Sequence, residues 1–171
     1  MEIKNRLQLT LFVREIENLE IEKIRKKHNI EQYKLIKSHI TLCREEELKD
    51  LDLIKLNLEK LNFNTFCLSF GKPIRFSNGK GVLIPAIGDY PEFKELRSQI
   101  LSEIIEKPKT HQEPHITLMH PRNSTCTNKI FEIIQNTNLP TILKIDKISL
   151  IEQTNGKKWK IIKEYKLKDS I

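Results

Sequence analysis

The sequence predicts an α+β fold made by duplication, and three observations carry that expectation. Stretches of period-2 alternation interleave with stretches of helical spacing. Asn-Gly pairs at Asn78-Gly79 and Asn155-Gly156 mark tight hairpin turns, because both residue types accept positive φ. The tetrapeptide His39-Ile40-Thr41-Leu42 recurs as His115-Ile116-Thr117-Leu118, 76 residues on (115 − 39). Sliding the first half by that offset lays the strand at 7–13 on 83–89, the helix at 15–28 on the helix at 91–106, and the strand at 65–70 on 141–146. The helix at 45–61 then overlaps the one starting near 128. Self-similarity at one offset is a fold-level signal. It implies two equivalent strand-helix-strand-helix-strand units related by an approximate two-fold axis.

Each element has its own reason. Over 6–13, Leu7, Leu9, Leu11 and Val13 alternate with Gln8, Thr10 and Phe12, the pattern of a half-buried strand. Residues 15–28 keep helical spacing through Ile16, Leu19 and Ile24, and Glu22 can pair with Lys26 one turn on. A short strand at 38–44 carries the first motif. Leu48, Leu51, Ile54 or Lys55, Leu58 and Leu61 repeat every three or four positions and predict a helix over 45–61. Strands are predicted at 65–76 and 81–87, joined at Asn78-Gly79. Pro91 suits a first helical turn, and Phe93, Leu96, Ile100 and Ile104 line one face of a helix over 91–106. The second motif strand spans 115–120, a helix follows at 128–137, and strands at 141–153 and 159–167 close the chain around Asn155-Gly156.

Composition narrows the class. The 171 residues are 38% hydrophobic and 31% charged, a globular balance for one domain spanning 1–171, made of two lobes. No apolar run approaches the roughly 20 residues that span a bilayer, and the N-terminus lacks a signal-peptide pattern. A cytoplasmic, monomeric protein with no membrane partner is expected. Cys43, Cys67 and Cys126 are odd in number and lack CxxC spacing, which favours a reducing compartment. Thirty Lys and Arg against 23 Asp and Glu give a net charge of +7. A basic excess favours phosphorylated or polyanionic partners, although these residues are scattered, as a lysine-rich solvated surface also requires.

The repeated motif carries the chemistry. Residues i and i+2 of a strand share a face, so His39 projects with Thr41, and His115 with Thr117. Ile40, Leu42, Ile116 and Leu118 project oppositely, into the core. Under two-fold symmetry the two imidazoles and two hydroxyls converge on one cleft. In-line cleavage of a phosphodiester needs a base on the attacking side and an acid on the leaving side. Histidine titrates near neutrality, so one copy can be neutral while the other is protonated. The hydroxyls can donate to the non-bridging oxygens, where charge must be held. No metal or cofactor is needed for that chemistry. Which histidine is acid and which is base stays open.

These paired His-x-Thr-Leu motifs resemble those of the 2H phosphoesterase superfamily, which includes 2′-5′ RNA ligase-like proteins and cyclic phosphodiesterases. The resemblance covers nearly the whole chain. It implies a bilobal α+β fold with pseudo-two-fold duplicated antiparallel sheets, outer helices and a central cleft. It implies His39 and His115 as the catalytic pair, with Thr41 and Thr117 binding phosphate. It implies a substrate that is a cyclic phosphate or phosphodiester of a nucleotide or RNA terminus. Ligation through a 2′-5′ link and non-catalytic binding of RNA ends are the alternatives.

Several neighbours need weighing. Arg122 is placed to contact phosphate at the cleft rim; Arg44 has the weaker claim. Strand alternation puts His120 on the face opposite His115, so a structural role is expected. His111 and His115 have the spacing of a helical zinc pair, but Pro114 and the strand reading of His115 argue against it. Cys43 shares the parity of His39 yet is expected to be a packing residue. Phe12, or Tyr33 in the loop before the first motif, could stack a base. Trp159 is expected to pack within the last strand.

Overall fold

The computed structural model describes residues 4–104 and 112–169. Among the described residues nine strands and five α-helices run in the order β1 (Asn5–Phe12), α1 (Leu19–His28), α2 (Ile30–Leu35), β2 (His39–Cys43), α3 (Leu51–Lys60), β3 (Phe66–Ser69), β4 (Ile74–Arg75), β5 (Val82–Pro85), α4 (Pro91–Ile100), β6 (His115–Met119), α5 (Asn128–Gln135), β7 (Ile142–Ile145), β8 (Lys147–Thr154) and β9 (Lys160–Lys166). Seven strands form a sheet in the order β4-β5-β6-β2-β1-β8-β9, and β3 pairs with β7 in a second, small sheet. Every pairing between these named strands is antiparallel.

The duplication is visible in this order. The motif strands β2 and β6 lie side by side at the centre, flanked by β1 and β5, then by β8 and β4. Ile40 pairs with Ile116, its own equivalent, so the approximate two-fold axis passes between them. The small sheet obeys the same axis: Phe66 pairs with Ile145, and Ser69 with Ile142. β9 lies outside this symmetry, because among the described residues no strand follows β4 at the opposite edge.

Both motif strands carry a bulge at the same place. Thr10 pairs with Thr41 and Leu9 with Cys43, leaving Leu42 as an extra residue. Leu83 pairs with Thr117 and Val82 with Met119, leaving Leu118 extra. A bulge turns the residues beyond it onto the other face. Cys43 is therefore fully buried, as are Ile40, Leu42 and Leu118, with Ile116 at 1%. Burial of an aliphatic side chain to this degree contributes about 1.5–3 kcal/mol.

Elsewhere the structure corrects the sequence reading. α1 starts at Leu19, and its buried face is Ile21, Ile24 and Arg25, while Ile16 and Leu19 are exposed. Glu22 holds Arg25 at 2.7 Å rather than Lys26. The helix predicted over 45–61 is split, because the Asp50 carboxylate accepts the Leu53 amide and starts α3 afresh. The strands predicted at 65–76 and 141–153 each break in two, since each crosses from the small sheet to the large one. α2 was unforeseen; it buries no side chain and so shows no apolar period. Phe93, Leu96 and Ile100 are buried on α4 as expected, and Pro91 opens it. The predicted residues 105 and 106 of that helix lie outside the described residues. Both Asn-Gly turns form, with Gly79 at φ 71, Asn155 at φ 51 and Gly156 at φ 71.

Candidate active site

The two motif strands open onto one cleft of about 670 Å³, lined by His39, Thr41, His115, Thr117 and Arg122 together. The strands have the same burial sequence: half-buried His and Thr, buried Ile and Leu. Because Ile40 opposes Ile116, the antiparallel register sets His39 against Thr117 and His115 against Thr41. The two histidines are then diagonal neighbours, a relation that puts Cβ atoms about 7–8 Å apart in a regular sheet.

Local geometry sets the state of each ring. His39 Nδ1 lies 2.8 Å from the Lys37 carbonyl oxygen, and His115 Nδ1 lies 2.9 Å from that of Glu113. A carbonyl only accepts, so Nδ1–H donates in both and each neutral ring leaves Nε2 bare as a base. Lys37 and Glu113 are themselves equivalent under the 76-residue offset. Each ring also meets a phenylalanine edge-on: Phe12 at 6.2 Å from His39, and Phe76 at 6.1 Å from His115. These two phenylalanines occupy different positions of the duplicated frame.

Electrostatics distinguish the two halves. Burial lowers the His39 pKa to about 4; the Lys37 carbonyl opposes this, and the charges of Arg25, His115 and His120 add to the lowering. Arg25 is 1% exposed. Its guanidinium is fixed by the Glu22 carboxylate and, at 2.7 Å, by the Ile36 carbonyl. Glu22 also accepts the Ser38 amide, directly before His39. Helix α1 thereby anchors the start of β2. At the other end of β2, Arg97 of α4 binds the Leu42 carbonyl and Glu47.

His120 lines the cleft, against expectation. The bulge at Leu118 reverses the alternation that would have turned it away, and the equivalent bulge at Leu42 brings Arg44 into the same lining. Under the offset these two basic side chains are equivalent (44 + 76). His120 Nδ1 accepts the Arg122 amide at 3.2 Å, so its ring presents Nε2–H, the tautomer opposite to His39 and His115. Its backbone amide donates to Asn29 Oδ1 at 2.7 Å. Burial, and then Arg122, lowers the His120 pKa.

Sequence reasoning also missed other lining residues. Arg6, Gln8, Phe76, Gln153 and Trp159 all face the cleft. Gln8 shares the polar parity of Thr10 and donates to the Thr41 hydroxyl at 3.2 Å, so alternation could have found it. Trp159 precedes β9 and borders the cleft instead of packing within that strand. Cys43 belongs to the core as expected, with burial pushing its thiol up to about 12. Tyr33 lies on α2, not in a loop, and neither it nor Phe12 is among the lining side chains. His111 lies outside the described residues. Among the described residues, no three His, Cys, Asp or Glu side chains gather as metal ligands, and no helix is long and apolar enough to cross a membrane.

Known structures share this architecture. Escherichia coli LigT complexed with phosphate superposes with a TM-score of 0.65 at 16% identity, over 96% of this chain and 98% of that one. The same protein complexed with 3′-AMP gives 0.66 at 16% identity, over 96% and 98%. TT0787 of Thermus thermophilus gives 0.60 at 15% identity, over 97% and 100%. No curated protein matches this sequence. At these identities the structural likeness is one of fold, and that fold, with its paired motifs, is the 2H phosphoesterase one. Residues 12–157 match the 2′-5′ RNA ligase superfamily, and the chain belongs to it.

Proposed function

We propose that this protein is a metal-independent phosphoesterase that hydrolyses a cyclic phosphate or phosphodiester of a nucleotide or RNA terminus. The described chain acts as one domain of two pseudo-symmetric lobes, with the reaction at their seam. The observation that carries the reading is the matched pair of imidazoles. Both donate Nδ1–H to a carbonyl two residues back, and both leave Nε2 toward one cleft that also holds two threonine hydroxyls. That arrangement supplies an acid, a base and oxyanion donors without a further group.

His39 takes the role of base, because burial keeps it neutral at pH 7 and ready to accept a proton from the attacking water. His115 then protonates the departing oxygen. Thr41 and Thr117 donate to the non-bridging oxygens, and Arg122 adds a cation at the rim. The nucleotide class of substrate is supported by LigT, whose structures hold 3′-AMP and ATP. Ligation is the reverse of the same bond change and would use the same side chains, so the family's name supports it as the second reading.

The test is turnover of nucleoside 2′,3′-cyclic phosphates and short RNAs with cyclic ends, with and without EDTA. Hydrolysis undiminished by EDTA is expected. Activity lost to EDTA and restored by zinc would replace this mechanism with a metal-dependent one.

A further inference from the structure

The symmetric part of the cleft accounts for a phosphoryl group; the asymmetric part is larger than that group needs. Cavities of about 300–1,000 Å³ hold whole small ligands, and this one measures about 670 Å³. The two flanks differ sharply. In the β1–β2 and β5–β6 pairings, Leu9 and Val82 hold equivalent places. Arg6 and Gln8 therefore correspond to Gly79 and Gly81. A Cβ at Gly81 would meet the Met119 carbonyl at 2.5 Å and the Phe76 ring at 2.8 Å, so that flank is filled by Phe76, which packs on His115. On the opposite flank, Arg6 and Gln8 carry side chains into the cleft. There β9, the strand without a counterpart, brings Trp159 to the rim.

Trp159 is anchored at that rim. Its amide donates to the Leu35 carbonyl at 2.9 Å, tying the start of β9 to the end of α2. Its half-buried ring borders the cleft, with the Arg6 guanidinium 5.5 Å from the ring centroid. Arg6 is itself fixed by Glu45 at 3.0 Å and by Gln153 Oε1 at 3.3 Å. An indole with a guanidinium held over its ring, and Gln153 fixing that guanidinium, form the kind of surface on which an unpaired base stacks.

We infer that Trp159 and Arg6 form a nucleobase subsite, so that the substrate is a nucleotide or single-stranded RNA end whose base lies toward β9 while its phosphate sits between the histidines. The inference rests on the reaction proposed above but makes its own prediction, which does not require turnover. Trp159 is the single tryptophan of the chain, so its fluorescence reports the subsite alone. Titration with adenosine 3′-monophosphate should quench it, and ribose 5-phosphate should not. With cyclic substrates, Trp159→Ala should raise KM for a nucleoside 2′,3′-cyclic phosphate on the order of 10-fold. It should leave ribose 2,3-cyclic phosphate, which has no base, unchanged, and Trp159→Phe should restore most of the loss.

An unchanged nucleotide KM in Trp159→Ala would overturn the subsite, as would an equal loss on the baseless substrate. Unquenched fluorescence while adenosine 3′-monophosphate inhibits would do the same. If the wild-type protein hydrolyses neither substrate, the proposed reaction fails, and quenching by the nucleotide still decides the base site. Without hydrolysis or quenching, both fall.

Discussion

β2 and β6 differ little as strands and differ in their surroundings. Each presents His, Thr and, past a bulge, a further basic side chain to the cleft, with the same burial at each step of the strand. The flanks are unlike: Arg25, Gln8 and Trp159 lie on one side, and Phe76 packed over Gly81 on the other. Duplication supplies two matched imidazoles, and their unequal surroundings are the basis for proposing separate roles for them. A symmetric site would bind phosphate in either direction. The burial of His39 and the charge of Arg25 favour the neutral ring on β2, which would give the proposed reaction a direction.

The largest expected effect removes either half of the pair. His39→Ala and His115→Ala should each lower kcat by on the order of 10³-fold with the fold retained, because each deletes a cleft group and no core volume. The double variant should be little worse than the singles, since groups acting as a unit are not additive. Full activity in either single would exclude that ring as acid or base. The pH profile of kcat/KM sharpens the assignment. A base whose pKa is lowered to about 4 is in its active, unprotonated form above that pH and is lost below it. The acid limb should therefore fall near pH 4. A limb near the ordinary histidine value of about 6.5 would transfer the base role away from His39.

The hydroxyls come next. Thr41→Val and Thr117→Val keep shape and remove a donor to developing charge, so each should lower kcat on the order of 10²-fold. Thr41 differs from Thr117 in receiving the Gln8 amide at 3.2 Å. That bond occupies an acceptor site of the Thr41 hydroxyl and so restricts its rotation, whereas Gly81, the residue equivalent to Gln8, has no side chain to do the same for Thr117. Thr41→Val should thus be the more damaging of the two. Equal activity in wild type and both variants would make the threonines ordinary strand residues.

The parts of this site legible in the sequence are those that local periodicity controls. His39 and Thr41 share a face because the strand is regular up to Thr41, and the same holds from His115 to Thr117. Alternation failed one residue later, at Leu42 and Leu118, because a bulge depends on the partner strand's register and leaves no local mark in composition. That single step hid Arg44 and His120. Phe76 and Trp159 were hidden differently. They stand in turns flanking β4 and β9, and their direction follows from sheet order, a long-range property. The 76-residue offset relates β2 to β6 and β3 to β7, yet β1 and β5 align at 73 residues (82 − 9), since the connection to the motif strand is three residues longer in the second half. Domain-scale symmetry survived because it rests on element order, which tolerates such insertions.

His120 gives the smallest expected effect and the finest test of the comparison. Three histidines line the cleft, and composition alone makes them equal candidates for proton transfer. Their Nδ1 partners separate them: carbonyls at His39 and His115, an amide N–H at His120. A ring whose Nδ1 accepts already carries its proton on Nε2, so His120 can donate to a phosphoryl oxygen but cannot serve as the base. It stands where the first half has Arg44, another donor. His120→Ala should then cost about what one neutral hydrogen bond contributes, about 1 kcal/mol, or roughly 5-fold in kcat/KM. The acid limb of the pH profile should remain, because His39 is untouched. His120→Arg, which copies the first half, should keep the donor and move that limb downward, because it adds a permanent positive charge beside His39. A loss in His120→Ala as large as that in His39→Ala would place the third histidine in the proton transfer itself and end the division of labour argued from the tautomers.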